Sequence, residues 1–323
     1  MKKKNLIFWM FLFATALVAT SHAGETELNY RLKWLFNTSV AGDIYAEAKG
    51  YFREAGLKVN VREGSPEKNA INELELGHSD FGVASADQVI RALDKGAKII
   101  VLAQLFQVSP MQWIYRTDQP QIKTLEDLKG RNIGITFGGN DETVMNTLFA
   151  KAGITKKDVK IFGVRFDFTP FFKREVDVWP VYFNSQGVIL KDKLEKEGEK
   201  VYFFNPADFG VNFVANSVIT SEKTWKNRPD MVKKFTAALL KGWEAAMEPS
   251  NEADVLMEIK KKDKESNDEL RRLQLIATRE LIKPLASIKI GTIDTDAWKQ
   301  TETIMLDEKQ IKKPVHVETM LKN

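Results

Sequence analysis

The 323-residue chain has no cysteine. That excludes disulfides, thiolate metal sites, a cysteine nucleophile and a lipid-modified N-terminal cysteine. Histidine is scarce, with three in the chain. Beyond residues 1–23 only His78 and His316 remain, and they form no His-x-x-x-His metal pair. An excess of one charge is also missing: 48 Lys and Arg face 44 Asp and Glu, for a formal +4. Nucleic-acid binding needs clustered basic residues. The run Lys260-Lys261-Lys262-Asp263-Lys264 meets Glu265, Asp268 and Glu269, so it reads as a solvated helix end, with a membrane-surface role as the alternative. With 10 Pro and 19 Gly, collagen-like and disordered chains are excluded. There is no G-x-S-x-G elbow and no P-loop.

What is present begins with an export signal. Lys2, Lys3 and Lys4 precede an apolar run from Leu6 to Ala19, and Ser21-His22-Ala23 leads into Gly24. A basic segment, an apolar segment and a small-x-small site mark cleavage near Ala23. The run is shorter than the roughly 18 to 20 residues a spanning helix needs. An uncleaved anchor is the alternative. Removing residues 1–23 removes three lysines and no acid, leaving a charge of about +1 (4 − 3).

From Tyr30 onward strand-like and helix-like stretches alternate, which predicts α/β layers with a mostly parallel sheet. Strands are expected over 28–35, 57–62, 80–84 and 97–104, with helices over 42–55, 67–76 and 85–95 between them. A second α/β unit opens with the capped turn Thr124-Leu125-Glu126-Asp127, then a strand over 131–136, a Gly-rich turn and a helix over 141–152. Strands over 159–164, 176–182 and 201–204 fill it out, and long helices over 229–247 and 251–260 follow the return. The expected division is lobe 1 over 24–113, lobe 2 over 114–215, and a return to lobe 1 over 216–323. The crossings near 110–116 and 212–220 make a two-segment hinge. Ligands of open α/β sheets sit beyond the carboxyl ends of strands, which puts the site in the cleft between lobes. Residues from Lys289 onward are expected to pack on lobe 1.

Several segments carry a resemblance. They are Ala46-Glu47-Ala48-Lys49-Gly50-Tyr51-Phe52 with Glu54-Ala55-Gly56-Leu57-Lys58-Val59, Leu76-Gly77-His78-Ser79-Asp80-Phe81-Gly82, and the stretch from Ile122 to Gly134. Val176-Asp177 and the helix from Pro229 complete the set. In this order the chain, from Leu28 to Pro249, resembles periplasmic solute-binding proteins of ABC importers. The likeness is to the group that includes thiamine-precursor (pyrimidine) binders and sulfonate and taurine binders. It implies the type II periplasmic binding protein fold, a small organic solute, inner-membrane permease and ATPase subunits as partners, a monomer, and no cofactor.

The candidate site residues follow. Trp34, with Asn37 and Thr38, stands where pyrimidine binders keep a Trp before a small polar loop, and its ring can stack on a flat ligand. Ser85 and Asp87 lie where the third strand meets a helix, and Ser85 reads equally well as its cap. Gly138, Gly139 and Asn140 form a turn that lets the backbone approach a ligand. Asp141 and Glu142 follow, and two carboxylates at a helix N-terminus argue against an anionic ligand. Tyr182, Asn184 and Gln186 share one side if the strand persists, with Trp179 and Phe183 nearby. Where pyrimidine binders carry a glutamate, Gln186 offers both donor and acceptor; a surface Gln at a helix start is the other reading. Val40 and Ile44 replace a His and a Tyr, so the ligand signature departs from that group.

The same fold serves thiamine pyrimidine synthases, whose cofactor-holding lysine and neighbouring histidine match Ala84 and Gln88 here. A Schiff base needs a lysine amine at that place. A non-catalytic binder of a thiamine-precursor-like solute is therefore expected, with no catalytic residue, metal or nucleic acid. The alternatives are a synthase-like enzyme, a sulfonate or taurine binder, and a sensor.

Overall fold

The computed structural model describes residues 26–65, 67–165 and 167–322. The expected export signal at 1–23 lies outside them. Ten strands are described: β1 Thr26–Arg31, β2 Leu57–Arg62, β3 Phe81–Ala84, β4 Ile99–Gln104, β5 Met111–Arg116, β6 Asn132–Ile135, β7 Lys160–Gly163, β8 Trp179–Tyr182, β9 Val201–Phe204 and β10 Ser217–Ser221. The helices are α1 Ala41–Ala48, α2 Tyr51–Glu54, α3 Ala70–Leu76, α4 Ala86–Asp94, α5 Asn140–Lys151, α6 Thr169–Phe172, α7 Val188–Lys196, α8 Glu222–Asn227, α9 Pro229–Met247, α10 Glu252–Lys262, α11 Asp268–Ile282 and α12 Thr295–Asp307.

The first lobe is built on a five-stranded sheet in the order β2-β1-β3-β10-β4. β1 lies parallel to β2 and β3, whereas β10 runs antiparallel to β3 and β4. The second lobe holds the sheet β8-β5-β9 and the parallel pair β6-β7, joined by a bridge between Ile133 and Val178. β5 is antiparallel to both its neighbours. The expected mostly parallel arrangement is thus corrected for β5 and β10. Both are strands on which the chain enters or leaves a lobe, so no βαβ crossover fixes their direction. All of β5 belongs to the second sheet, so the first crossing precedes Met111.

Local chemistry sets the elements. In β2, Leu57, Val59 and Val61 are buried while Lys58 and Asn60 are exposed, as on a strand with one covered face. Asn69 caps α3 by accepting from Ile71 N at 2.8 Å, and Gly77 ends it at φ 73°. Thr124 and Asp127 form the expected capping box around a 3-10 turn, Leu125–Leu128. The helix expected over 42–55 is instead two pieces, because Gly50 takes φ 76° between α1 and α2. In the first core Phe235 of α9 stacks on Phe81 with centroids 3.6 Å apart.

The C-terminal segment does more than cover the first lobe. Trp298 Nε1 donates to Gln104 Oε1 at 3.2 Å, and Leu321 bridges Val101 beside β4. Gln310 then reaches Thr147 of α5, at 2.9 Å, in the second lobe. α11 also touches both lobes: Thr38 donates to Gln274 at 3.0 Å, and Asn184 to Thr278 at 2.8 Å.

Candidate functional site

A cleft of about 440 Å³ opens between the two lobes. One wall is the segment after β1. Lys33 and Trp34 leave that strand, and Gly64 N donates to Trp34 O at 3.0 Å. A Cβ on Gly64 would lie 2.0 Å from Leu32 O, so only glycine permits this approach. Asn37 then folds over the next turn, its Oδ1 accepting from Ser39 N at 2.8 Å and Ser39 Oγ at 2.6 Å.

The opposite wall is the turn before α5. Gly138 has φ 79°. Two N–H groups of this turn are taken by the acids that follow it. Asp141 Oδ2 accepts from Thr136 N at 2.5 Å, and Glu142 Oε2 from Gly138 N at 2.7 Å. Burial pushes the Asp141 carboxyl up to about 6, opposed by the Thr136 N–H and the charge of Lys33.

Lys33 ties the walls together. Its Nζ donates to Tyr182 OH at 2.5 Å and to Asn140 Oδ1 at 2.8 Å, and lies 5.0 Å from the Tyr182 ring centroid. Gln88 Nε2 reaches Gly138 O at 3.4 Å, and at the mouth Arg165 pairs with Glu67 at 2.6 Å.

Of the residues expected from the sequence, Trp34, Asn37, Gly138, Gly139, Asn140, Tyr182 and Gln186 line this cleft. Thr38, Ser85, Asp87 and Asn184 do not, and their expected placement is corrected. Thr38 and Asn184 are fully buried and join the lobes through α11. Ser85 is the cap of α4, its Oγ 3.0 Å from Gln88 Oε1. Asp87 is fully buried, 4.0 Å from the Arg91 guanidinium. Asn184 turns inward because β8 ends at Tyr182 and the chain enters a π-helical turn, Phe183–Gly187, so period-two alternation stops there. Phe183 packs edge-on to Phe203, with centroids 5.2 Å apart. Trp179, only 1% exposed, packs chiefly on Phe168 and Phe171.

Sequence reasoning missed Lys33, Glu63 and Asn216, all of which line the cleft. For Lys33 the available signal was its place beside Trp34 at a strand end. Among the described residues, no group of three or more metal-ligating side chains is brought together.

Two α/β lobes, two crossings and a polar, aromatic-walled cleft between them define a periplasmic-binding-protein architecture of type II. The chain belongs to the NMT1/THI5 like family, which matches residues 37–253. The riboflavin-binding protein RibY of Chloroflexus aurantiacus is 24% identical over 306 residues, covering 92% of this chain and 85% of that protein. A formylaminopyrimidine-binding protein of Halalkalibacterium halodurans is 25% identical, covering 69% and 67%. The relatives are not all binders: a 4-amino-5-hydroxymethyl-2-methylpyrimidine phosphate synthase of Legionella pneumophila is 24% identical, covering 72% and 73%. In fold, the alkanesulfonate-binding protein SsuA from Xanthomonas axonopodis pv. citri, bound to MOPS, superposes with a TM-score of 0.71 at 14% identity, covering 93% of this chain and 99% of that one.

Proposed function

We propose that the protein is the exported solute-binding component of an ABC importer. In this reading the first jaw, expected over 24–113, ends before Met111 and resumes over 216–323, and residues 111–215 form the other. The protein works in the periplasm as a monomer, holds one small flat heteroaromatic or polar solute of the thiamine-precursor kind, and delivers it unchanged to a permease. One observation carries the reading: Lys33, Tyr182 and Asn140 join the two lobes across a cleft walled by Trp34. A ligand that contacts both walls stabilises the closed form over the open one, which is what closure on capture requires.

The sulfonate reading is weaker, because Asp141 and Glu142 put two carboxylates at the start of α5 and take the Thr136 and Gly138 N–H groups. The synthase reading lacks its lysine. Ala84 stands in its place, and Gln88, in the place of the neighbouring histidine, spends its amide on Ser85 and Gly138.

A thermal-shift panel of thiamine precursors, flavins, nucleobases and sulfonates tests the proposal on the chain from Gly24. A ligand at a hundred times its Kd adds about 2.7 kcal/mol, enough for a rise of roughly 5 °C. No shift across the panel rejects the proposal. Cofactor absorbance with turnover would support the enzyme instead.

A further inference from the structure

Five of the six carboxamides that line the cleft share one orientation; the sixth, Gln88, spends its NH2 on Gly138 O. An ammonium can only donate, so the Asn140 atom facing Lys33 at 2.8 Å is Oδ1. Tyr182 OH accepts from Lys33, so its own proton goes on to Asn216 Oδ1 at 3.4 Å or Asn140 Oδ1 at 3.5 Å. Asn37 Oδ1 is taken by Ser39, and Asn69 Oδ1 by Ile71 N and Asn72 N at 2.8 and 3.3 Å. Gln186 Oε1 is taken by Tyr182 N at 3.2 Å.

The oxygens of Asn37, Asn69, Asn140 and Gln186 are committed, and the NH2 groups of these four and of Asn216 donate to no described residue. None of these NH2 groups is enclosed in protein, and all five residues line the cleft. Of the four carboxylates that line the same space, Glu63 Oε1 accepts from Phe36 N at 2.7 Å, Asp141 from Thr136 N, and Asp263 Oδ1 from Glu265 N and Ser266 N at 3.0 and 3.2 Å, while Asp263 Oδ2 accepts from no described residue. The open hydrogen-bonding capacity of the carboxamides that line the cleft is therefore chiefly donor.

We propose that the cleft selects a neutral, flat heterocycle whose edge carries several acceptors, carbonyls or ring nitrogens, over amine-bearing pyrimidines and over anions. The inference rests on the solute-binding reading and names its substrate class. An amine-bearing edge would set donors against donors, and a site built to pair donors rejects a ligand that leaves them unpaired. Neutrality follows from the charges in the same space. Lys33 faces Asp141 and Glu63, Lys262 and Lys264 stand with Asp263 and Glu265, and Arg165 is paired with Glu67, so the charges that line the cleft balance. At about 440 Å³ the cleft falls within the roughly 300–1,000 Å³ of small-molecule sites and has room for fused rings.

Isothermal titration of the chain from Gly24 with lumichrome (a fused-ring dione), 4-amino-5-hydroxymethyl-2-methylpyrimidine and MOPS tests this. The dione should bind at least tenfold more tightly than the aminopyrimidine, and MOPS more weakly than either. Asn37→Asp and Asn69→Asp keep their helix caps, since Asp caps as well as Asn, and turn one cleft donor into an acceptor. Each should lower the dione-to-aminopyrimidine ratio at least tenfold. A preference of the unmodified protein for the aminopyrimidine or MOPS overturns the inference and leaves the binder standing. An unchanged ratio in both variants overturns it as well. Failure of all three ligands to bind overturns the inference; the binder falls only if the wider thermal panel is also silent.

Discussion

Trp34 and Asp43 show how single side chains divide between ligand and fold. Trp34 is half-buried and faces the cleft. An aromatic stacking partner contributes about 1 to 3 kcal/mol. Trp34→Ala should weaken the bound solute tenfold or more in titration; unchanged affinity removes Trp34 from the site. Asp43 is buried in the first lobe, accepting from Tyr30 OH at 2.6 Å, and burial pushes its carboxyl up to about 7. The folded protein then holds a proton between about pH 4 and 7 that the unfolded chain releases. Stability therefore falls as pH rises through that window. Asp43→Asn keeps the Tyr30 bond without the charge. It should gain on the order of 4 kcal/mol over the parent at pH 8 and nothing at pH 4, as measured by urea unfolding. No gain at pH 8 would refute the buried-acid account. At this scale the sequence revealed the strand-end aromatic and the glycine turn, because those patterns are local. Lys33 was hidden because its partners, Asn140 and Tyr182, are 107 and 149 residues away.

Among the elements, α1 and α9 pack closest where side chains vanish. A Cβ on Gly42 would lie 2.0 Å from the Trp243 ring, and one on Gly242 would lie 2.4 Å from Ala46 Cβ. Gly242→Ala sets two effects against each other. Helix propensity favours alanine by about 1 kcal/mol, whereas overpacking costs about 1 to 3 kcal/mol. The obstructing atom is fixed to the α1 backbone and cannot swing aside, so overpacking should win by about 1 kcal/mol. A higher urea midpoint for the variant would show that the helices part freely. Element identity was largely legible, since α9 has the expected bounds and the β2 alternation is unbroken. α11 was not read, and with it went the destination of Thr38 and Asn184. Both looked like site residues because the helix that pairs with them was missing from the reading.

For the whole molecule the question is what holds the jaws together before the solute arrives. Across the cleft run bonds from Lys33 to Tyr182 and Asn140, Tyr182 to Asn216, Gln88 to Gly138 and Arg165 to Glu67, while Arg91 to Thr143, Gln310 to Thr147 and Asn184 to Thr278 join the lobes elsewhere. Such bonds contribute about 1 kcal/mol each, and a ligand that touches both walls adds its own bias toward closure. The Arg165–Glu67 pair isolates one of them, because its side chains are 70% and 53% exposed and it sits at the mouth. Exposed pairs contribute up to about 1 kcal/mol and are screened by salt. Arg165→Glu replaces attraction with repulsion there. At low salt it should weaken solute binding about fivefold, mainly through faster release as the jaws reopen. In about 1 M salt the Debye length shrinks to about 3 Å, and the variant should match the parent. Stopped-flow release rates at the two salt concentrations decide the matter. A deficit that persists at high salt would mean that Arg165 touches the solute itself, and the mouth would then be part of the binding surface rather than its clasp.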